Sequence, residues 1–465
     1  MRPIVRRLAP LVAAACALLA PSVASATSTT KQIKAATAKG AAYLRSEQQE
    51  DGSFTGFGAE WTLSGLAAAK VAPADVKKTP SSRDARTWYR ELIGDPATWP
   101  EAGEATAPTY EAAALAAYAA GIDPARVSQQ QNLIAQIVSR YDTANPGYYG
   151  EPGVFNGTLF GLLALEDTNS TARQRVPQVL LDKSIEVVRK NQHTDGGWSY
   201  QRVEGHQSEL ESPSEAEETG AAIAALCGAG VRDSEPVIED AVAYLQSDFE
   251  AETTGSGAFA SEFGPNTDST AWAVEGLNAC GVSSQSSQFK TSAGRTPIDF
   301  LISQQLEGGG FVSEAGEEEA SLYSSQDAVR ALAGDGFTAA PVKPSSGPKV
   351  FAETQFSTSP SVASELTLVI EAGSSPLKAC AVSIAPAAAK TTLASVLAAA
   401  ESASTPSGCV TSFQPSSGKT AITQINGTPS TPAASWQLSI DGGKEKLAKT
   451  NSVVELGDTL YLRST

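Results

Sequence analysis

Gln192-His193-Thr194-Asp195-Gly196-Gly197-Trp198 reverses the chain between an amphipathic segment, 176–191, and an Ala-rich one, 217–230. Glycine permits positive φ and a sharp reversal. The aromatic can plug the space between neighbouring units. The pattern recurs as Gln48-Gln49-Glu50-Asp51-Gly52-Ser53-Phe54 and as Gln304-Gln305-Leu306-Glu307-Gly308-Gly309-Gly310-Phe311. Gly147-Tyr148-Tyr149-Gly150 and Gly257-Ala258-Phe259 are weaker copies. A period of about 50 residues marks an internal repeat.

Each unit predicts two helices. The first, amphipathic set runs over 30–48, 83–93, 124–140, 176–191, 237–247 and 297–304. The second, Ala- and Gly-rich set runs over 60–72, 109–121, 156–167, 217–230, 268–281 and 324–336. Small residues let the second helices crowd on every side, which suits an inner ring. Four of them end in glycine near the position where a left-handed residue stops a helix. Six outer and six inner helices predict a closed α/α barrel, with an open solenoid as the competing arrangement.

The turns resemble the repeat of squalene–hopene cyclases and protein prenyltransferase β-subunits, over about residues 30–337. That resemblance implies a mainly α fold, an α6/α6 toroid. The cyclases carry an Asp-x-Asp-Asp motif followed by Thr-Ala, whose central aspartic acid protonates a double bond. The matching segment is Asn266-Thr267-Asp268-Ser269-Thr270-Ala271. Asp268 takes the protonating position, but Asn266 and Ser269 replace both flanking acids. A strong acid depends on its neighbours, so Asp268 reads instead as a helix-capping or dipole-facing residue. The prenyltransferases hold zinc with Asp, Cys and His. Here no Asp-x-Cys pair occurs and His193 and His206 share one segment, so no metal site is expected. Neither a Gly-x-Ser-x-Gly elbow nor a phosphate loop occurs.

Aligning the inner helices puts Thr62, Tyr110, Thr158, Thr219, Thr270 and Ser325 at one level. Two positions earlier stand Glu60, Pro108, Asn156, Glu217, Asp268 and Tyr323. About one turn on come Phe160 and Trp272. The reading is a polar, mildly acidic collar above an apolar well. Its ligand-binding candidates are Glu60, Tyr110, Asn156, Phe160, Glu217, Asp268, Trp272 and Tyr323; helix capping is the structural alternative. Acidic stretches at 209–218 and 314–319 read as solvated loops.

Residues 1–26 read as a secretory signal: Arg2, Arg6 and Arg7, an apolar stretch, then Ala24-Ser25-Ala26 as the cleavage site. Ala13-Ala14-Ala15 before Cys16 lacks the leucine of a lipoprotein signal. No later apolar run is long enough to span a bilayer. A net charge of −17 argues against nucleic acid and favours a cationic or neutral ligand. Cys227, Cys280, Cys380 and Cys409 permit two disulfides in an exported chain. Cys227–Cys280 and Cys380–Cys409 keep each pair within one domain, and buried free thiols are the alternative.

The toroid is expected over 27–338, a Pro/Ser/Gly-rich linker over 339–362, and a second domain over 363–465. Strands at 365–370, 379–384, 421–425, 435–440 and 459–462, with a helix at 391–403, predict a small α+β, ubiquitin-like (β-grasp-like) sheet. Trp436-Gln437-Leu438-Ser439-Ile440-Asp441-Gly442-Gly443, followed by Glu455-Leu456-Gly457-Asp458-Thr459-Leu460-Tyr461, resembles the β-domain of transcobalamin and intrinsic factor. The order of toroid then β-domain is similar to the whole cobalamin-carrier architecture. It implies a secreted binder that holds a small molecule between toroid mouth and β-domain, without catalysis. Cobalamin or another corrinoid is one candidate ligand, and no contact residue carries over. The alternatives are a surface scaffold or adhesion protein, with cell-wall or surface partners, and a cyclase using Asp268.

Overall fold

The computed structural model describes residues 27–465 apart from 57, 97–98, 100–104, 152, 170–175, 204–211, 253, 260, 262–263, 348, 352–363, 374, 386–389, 403–408, 417–419, 432–434 and 465. The expected leader with Cys16, His206 and the acidic run 209–211 lie outside the described residues.

The chain is mostly helical, with a small sheet region at its C-terminal end. The outer helices are α1 (Thr30–Ser46), α3 (Ala85–Ile93), α5 (Leu133–Val138), α7 (Gln178–Lys190), α9 (Pro236–Ala251) and α11 (Pro297–Ser303). The inner ones are α2 (Trp61–Ala68), α4 (Ala107–Ala119), α6 (Asn156–Asn169), α8 (Ala216–Gly228), α10 (Thr267–Ala279) and α12 (Leu322–Ala333). Each inner helix packs on the next, and α12 packs on both α2 and α1, so the ring is closed. The open solenoid is excluded. The helix expected over 124–140 is shorter: a 3-10 turn at Pro124–Arg126 precedes α5, whose start is set by the Asn132 side chain accepting from the Ala135 N–H at 2.9 Å.

The repeat turn is what joins one unit to the next. Gly52, Gly147, Gly196, Gly257 and Gly309 all have φ between +93° and +106°. A Cβ on each would strike a backbone carbonyl of the following outer segment: Arg83, Lys183, Asp240, Thr296 and Lys39, at 2.4–2.9 Å. Glycine is required there for both conformation and clearance. The turn glutamine completes the joint. Gln48 Nε2 donates to Gly52 and to Val76, Gln192 Nε2 to Gly196 and Val237, and Gln305 Nε2 to Gly309 and Ala36, all within 3.3 Å. Gly309 and Gln305 meet α1, and this last joint closes the circle.

The row of hydroxyls serves the same turns. Thr158, Thr219, Thr270 and Ser325 accept the N–H of Tyr149, Trp198, Phe259 and Phe311 at 2.8–3.4 Å. These aromatics are fully buried. The hydroxyls therefore pin the plugging ring of each unit rather than rim the mouth.

Inner helices α8 and α10 touch backbone to backbone. A Cβ on Gly276 would lie 2.3 Å from the Gly220 carbonyl, and one on Gly220 would lie 2.3 Å from that of Trp272. The Cys227–Cys280 disulfide ties the ends of the same pair, with Cα atoms 5.4 Å apart.

The C-terminal strands are β1 (Ser364–Ala372), β2 (Lys378–Ile384), β3 (Phe413–Pro415), β4 (Ile422–Ile425), β5 (Thr428–Pro429), β6 (Trp436–Ile440), β7 (Lys446–Leu447) and β8 (Thr459–Ser464). The main sheet has the order β2-β1-β8-β6-β7, with β1 and β8 parallel at its centre. Helix α13 (Leu393–Ser402) buries Leu393, Val396 and Leu397 against it. Trp436 is fully buried in this core. Cys380–Cys409 forms the second disulfide. Positive φ at Asp441 and Gly442 makes the turn leaving β6.

Residues 339–347 and 349–351 run along the toroid face that carries the inner-helix C-termini. Ala339 packs with Ala67, Ala68 and Ala119. Arg86 Nη2 donates to the carbonyls of Gly121 and Lys349 at 2.9 and 3.1 Å. The sheet itself rests on the flank of the toroid at α5 and the turn before it. Arg126 donates to Asp458 and to the Leu456 carbonyl, both at 2.9 Å, and Gln136 donates to Glu365 at 2.7 Å.

Gly220→Ala should lower unfolding free energy by about 1–3 kcal/mol through overpacking. Gly228→Ala, with open space at its Cβ, should be neutral or gain about 0.5–1 kcal/mol from helix propensity. Denaturant unfolding of the two variants checks this contrast.

Candidate functional site

The N-termini of the inner helices converge on one mouth of the ring, opposite the face on which Ala339 packs. Two adjoining cavities open there. The first, about 560 Å³, is apolar. Trp61, Phe160 and Trp272 come from α2, α6 and α10; Trp88, Tyr89 and Leu92 come from outer helix α3, and Trp99 from the segment after it. Its polar lining includes Glu60, Thr109, Asn156 and Tyr323. The second cavity, about 480 Å³, is acidic. Glu215, Glu217 and Glu218 stand at the start of α8, Asp248 on α9 and Asp268 on α10. Trp272 and Tyr323 line both cavities and form the partition between them.

The ring is filled beneath the mouth. Phe160, Trp272 and Phe337 pack edge to face with centroids 5.0–5.5 Å apart, and Trp61 meets Phe160 at 6.0 Å. Arg330, fully buried on α12, donates from Nε to Glu275 at 3.0 Å and from Nη2 to Asp327 at 2.6 Å. Burial works against its charge, but the two carboxylates outweigh that and hold the guanidinium protonated. Asp327 also accepts from Trp272 Nε1 at 2.9 Å. The ion cluster therefore fixes the indole that divides the two cavities. Burial pushes Asp327 up to about 6 against the pull of Arg330.

Asp268 sits in the first turn of α10. The helix cap is Asn266, whose side chain accepts from the Ser269 N–H at 2.8 Å. Asp268 is thus released from capping. Its Oδ2 accepts from Ser313 and Ser324 at 2.9 and 3.1 Å, while its buried Oδ1 has no hydrogen-bond partner among the described residues. Burial raises its pKa against those two hydroxyls. Glu217 accepts a hydrogen bond from Ser269. Glu218 is only 5% exposed, and its buried Oε2 has no partner among the described residues. Burial, then the neighbouring Glu215 and Glu217, push it up to about 8.

Of the residues singled out from sequence, Glu60, Asn156 and Phe160 line the apolar cavity, and Glu217 and Asp268 the acidic one. Trp272 and Tyr323 line both. Tyr110 lines neither: it is buried with Trp99 against one edge, at 5.5 Å, and the Arg140 guanidinium 4.2 Å from its ring centre. Sequence reasoning missed Trp88 and Trp99, which the inner-helix alignment could not reach, and Glu218, one residue past an aligned position. His193 is buried in its turn, within 3.0 Å of Ser214 Oγ and 3.4 Å of Ser199 Oγ. Among the described residues no group of three or more His, Cys, Asp or Glu could hold a metal ion, and no helix is long and apolar enough to cross a membrane.

No protein-family model and no curated protein matches this chain. Among solved structures it is similar to a type II terpene cyclase from Scytonema in complex with geranylgeranyl dihydroxybenzoate, at 16% identity over 65% of this chain and 97% of that one, TM-score 0.45. It is also similar to haptocorrin in complex with Cbi, at 14% identity over 94% and 96% of the two chains, TM-score 0.33. A glycosidase in complex with glucose matches at 12% identity over 65% and 96%, TM-score 0.41. These likenesses assign no activity to the chain.

Two predictions follow from the buried charges. An unfolded glutamate ionises near 4.5, whereas folded Glu218 keeps its proton to about 8. Between those values the folded chain binds more protons, so this group makes stability fall as pH rises from about 5 to 8, by about 1.4 kcal/mol per pH unit at most. Asp441, pushed up to about 7 by burial and then by Asp458, acts in the same direction. Glu218→Gln should flatten the slope, read by denaturant unfolding across that range. Arg330→Met would strand Glu275 and Asp327 and should cost about 3–5 kcal/mol, measured at neutral pH.

Proposed function

We propose that this chain is a secreted protein that captures a small molecule at the toroid mouth. The observation that carries the reading is the blind well itself: an aromatic cavity with a few converging polar groups, closed below by packed rings and a buried ion cluster. Such concave, largely apolar sites are where proteins hold small ligands. The rigid ring supplies the lining in advance, which lowers the ordering cost of binding.

Among the described residues, the lining of both cavities falls between Phe54 and Tyr323. A ligand clamped between the mouth and the C-terminal domain, as the domain order implies, requires the sheet to leave α5. That movement would break the Arg126–Asp458 and Gln136–Glu365 contacts. A corrinoid is the ligand that the sequence resemblance suggests.

The second reading, a cyclase with Asp268 as the acid, is favoured by its position beside the aromatic partition. Its electrostatics run the other way. An acid strong enough to protonate an alkene needs a depressed pKa, and burial raises this one.

The test is a thermal-shift screen of the full chain against corrinoids and isoprenoids. One class should raise the melting temperature; at a hundredfold excess over Kd the gain is about 2.7 kcal/mol. Trp272→Ala should abolish the shift. No shift with either class would favour the scaffold reading. An isoprenoid product that disappears in Asp268→Asn would establish the cyclase.

A further inference from the structure

The acidic cavity raises a question of charge balance that the fold does not answer. Five carboxylates line it, and among the described residues no Lys, Arg or His does. Helix α8 begins with Glu215, Glu217 and Glu218, and its dipole stabilises an exposed acid there by about 0.3–1 kcal/mol. Burying a carboxylate without a partner costs several times more. Glu217 is half-buried and bonded to Ser269, so the dipole and that hydroxyl account for it. They do not account for Glu218, which is 5% exposed, lines the cavity and leaves Oε2 without a hydrogen bond among the described residues. Asp268 Oδ1, on the neighbouring helix α10, is in the same condition.

Both residues line a cavity whose other wall is aromatic. Trp272 is held by its Nε1 bond to Asp327, which leaves its ring for contact on the cavity side. Ring faces attract cations, most strongly those of tryptophan. Nor are the acids gathered closely enough for a metal ion; among the described residues no such group forms. They are spread around about 480 Å³, space for an alkylated nitrogen rather than a bare ion. Across the partition lies the larger apolar well.

We infer that the mouth takes an amphipathic organic cation, an ammonium group seated among Glu218, Glu217 and Asp268 against Trp272 and Tyr323, with its hydrocarbon or aryl body in the apolar well. This deepens the small-molecule reading above and rests on it. The cation supplies the missing partner for Glu218, and the carboxylate ionises on binding. Burial, which holds the Glu218 carboxyl protonated, is then offset by a charge-assisted contact.

The probes are benzyltrimethylammonium and its uncharged isostere neopentylbenzene, titrated into the full chain with tryptophan fluorescence and calorimetry as readouts. The quaternary cation cannot titrate, so any proton exchanged on binding comes from the protein. Saturable binding of the cation is expected, at least about tenfold tighter than the isostere. Proton release on binding, read from the dependence of the heat on the buffer's ionisation enthalpy, is also expected. Glu218→Gln should weaken the cation about tenfold or more, abolish proton release and leave the isostere unchanged. Asp268→Asn is the second variant, should Glu218→Gln fail to fold, and should weaken the cation in the same sense. Equal affinity for the two probes, insensitive to both substitutions, overturns the cation while leaving the mouth a small-molecule site. Absence of saturation by the cation also overturns it, and the corrinoid and isoprenoid screen then judges the mouth separately.

Discussion

The turn glycine seated against the next unit's backbone is the contact on which the rest of the molecule depends. At Gly147, Gly196 and Gly309 a Cβ would come within 2.4 Å of a carbonyl belonging to the following outer helix. A glutamine from the same turn donates across the same gap in three of the units. The joint is local in sequence on one side and distant on the other. It recurs at five described turns, and at the last of them Gly309 and Gln305 reach α1. Closure therefore reuses the contact that joins the other units, and Ser28 adds hydrogen bonds to Asp299 across the seam.

A closed ring of Ala-rich helices makes its own demands. Inner helices must approach to backbone contact, as at Gly220 and Gly276, and the axis must be filled. Phe160, Trp272, Phe337 and the Arg330–Glu275–Asp327 cluster fill it. A buried ion pair is poor evidence of stability, but here it has a geometric effect. Asp327 bonds the Trp272 indole, and that ring is the wall between the apolar and the acidic cavity. The same filling makes the mouth blind. Among the described residues, charge at the acidic cavity is then one-sided: its lining holds five carboxylates, and Arg330 is spent below it.

Much of this was legible in the residues. The periodic turns and the alternation of amphipathic and Ala-rich segments predicted both rings of helices, and the strand pattern after residue 364 predicted the small sheet. The mouth was partly legible, because residues at equivalent inner-helix positions share a level: Asn156, Glu217, Asp268 and Tyr323 do line the cavities. Tyr110 breaks the rule. Arg140 and Trp99 draw its ring into the wall, and nothing in a one-dimensional pattern ranks that packing above exposure. The hydroxyl row misled for a different reason. A threonine that pins a backbone N–H and one that rims a mouth have the same spacing, and only the partner tells them apart.

What the sequence determined by itself was the repeat, its count and the kind of helix at each place, since these follow from turn chemistry and hydrophobic period. Tertiary structure decided which carboxylates lost their partners. Glu217 and Glu218 are adjacent in the chain, yet one meets Ser269 while the other is buried against the cavity without a bond at Oε2. A step of one residue turns a side chain about 100° around a helix, and only the packed neighbour determines what it then meets. The docking of the sheet on α5 was decided in the same way. Arg126, Asp458, Gln136 and Glu365 carry no signal of partnership in sequence, being hundreds of residues apart, and only the folded ring brings them within hydrogen-bond reach.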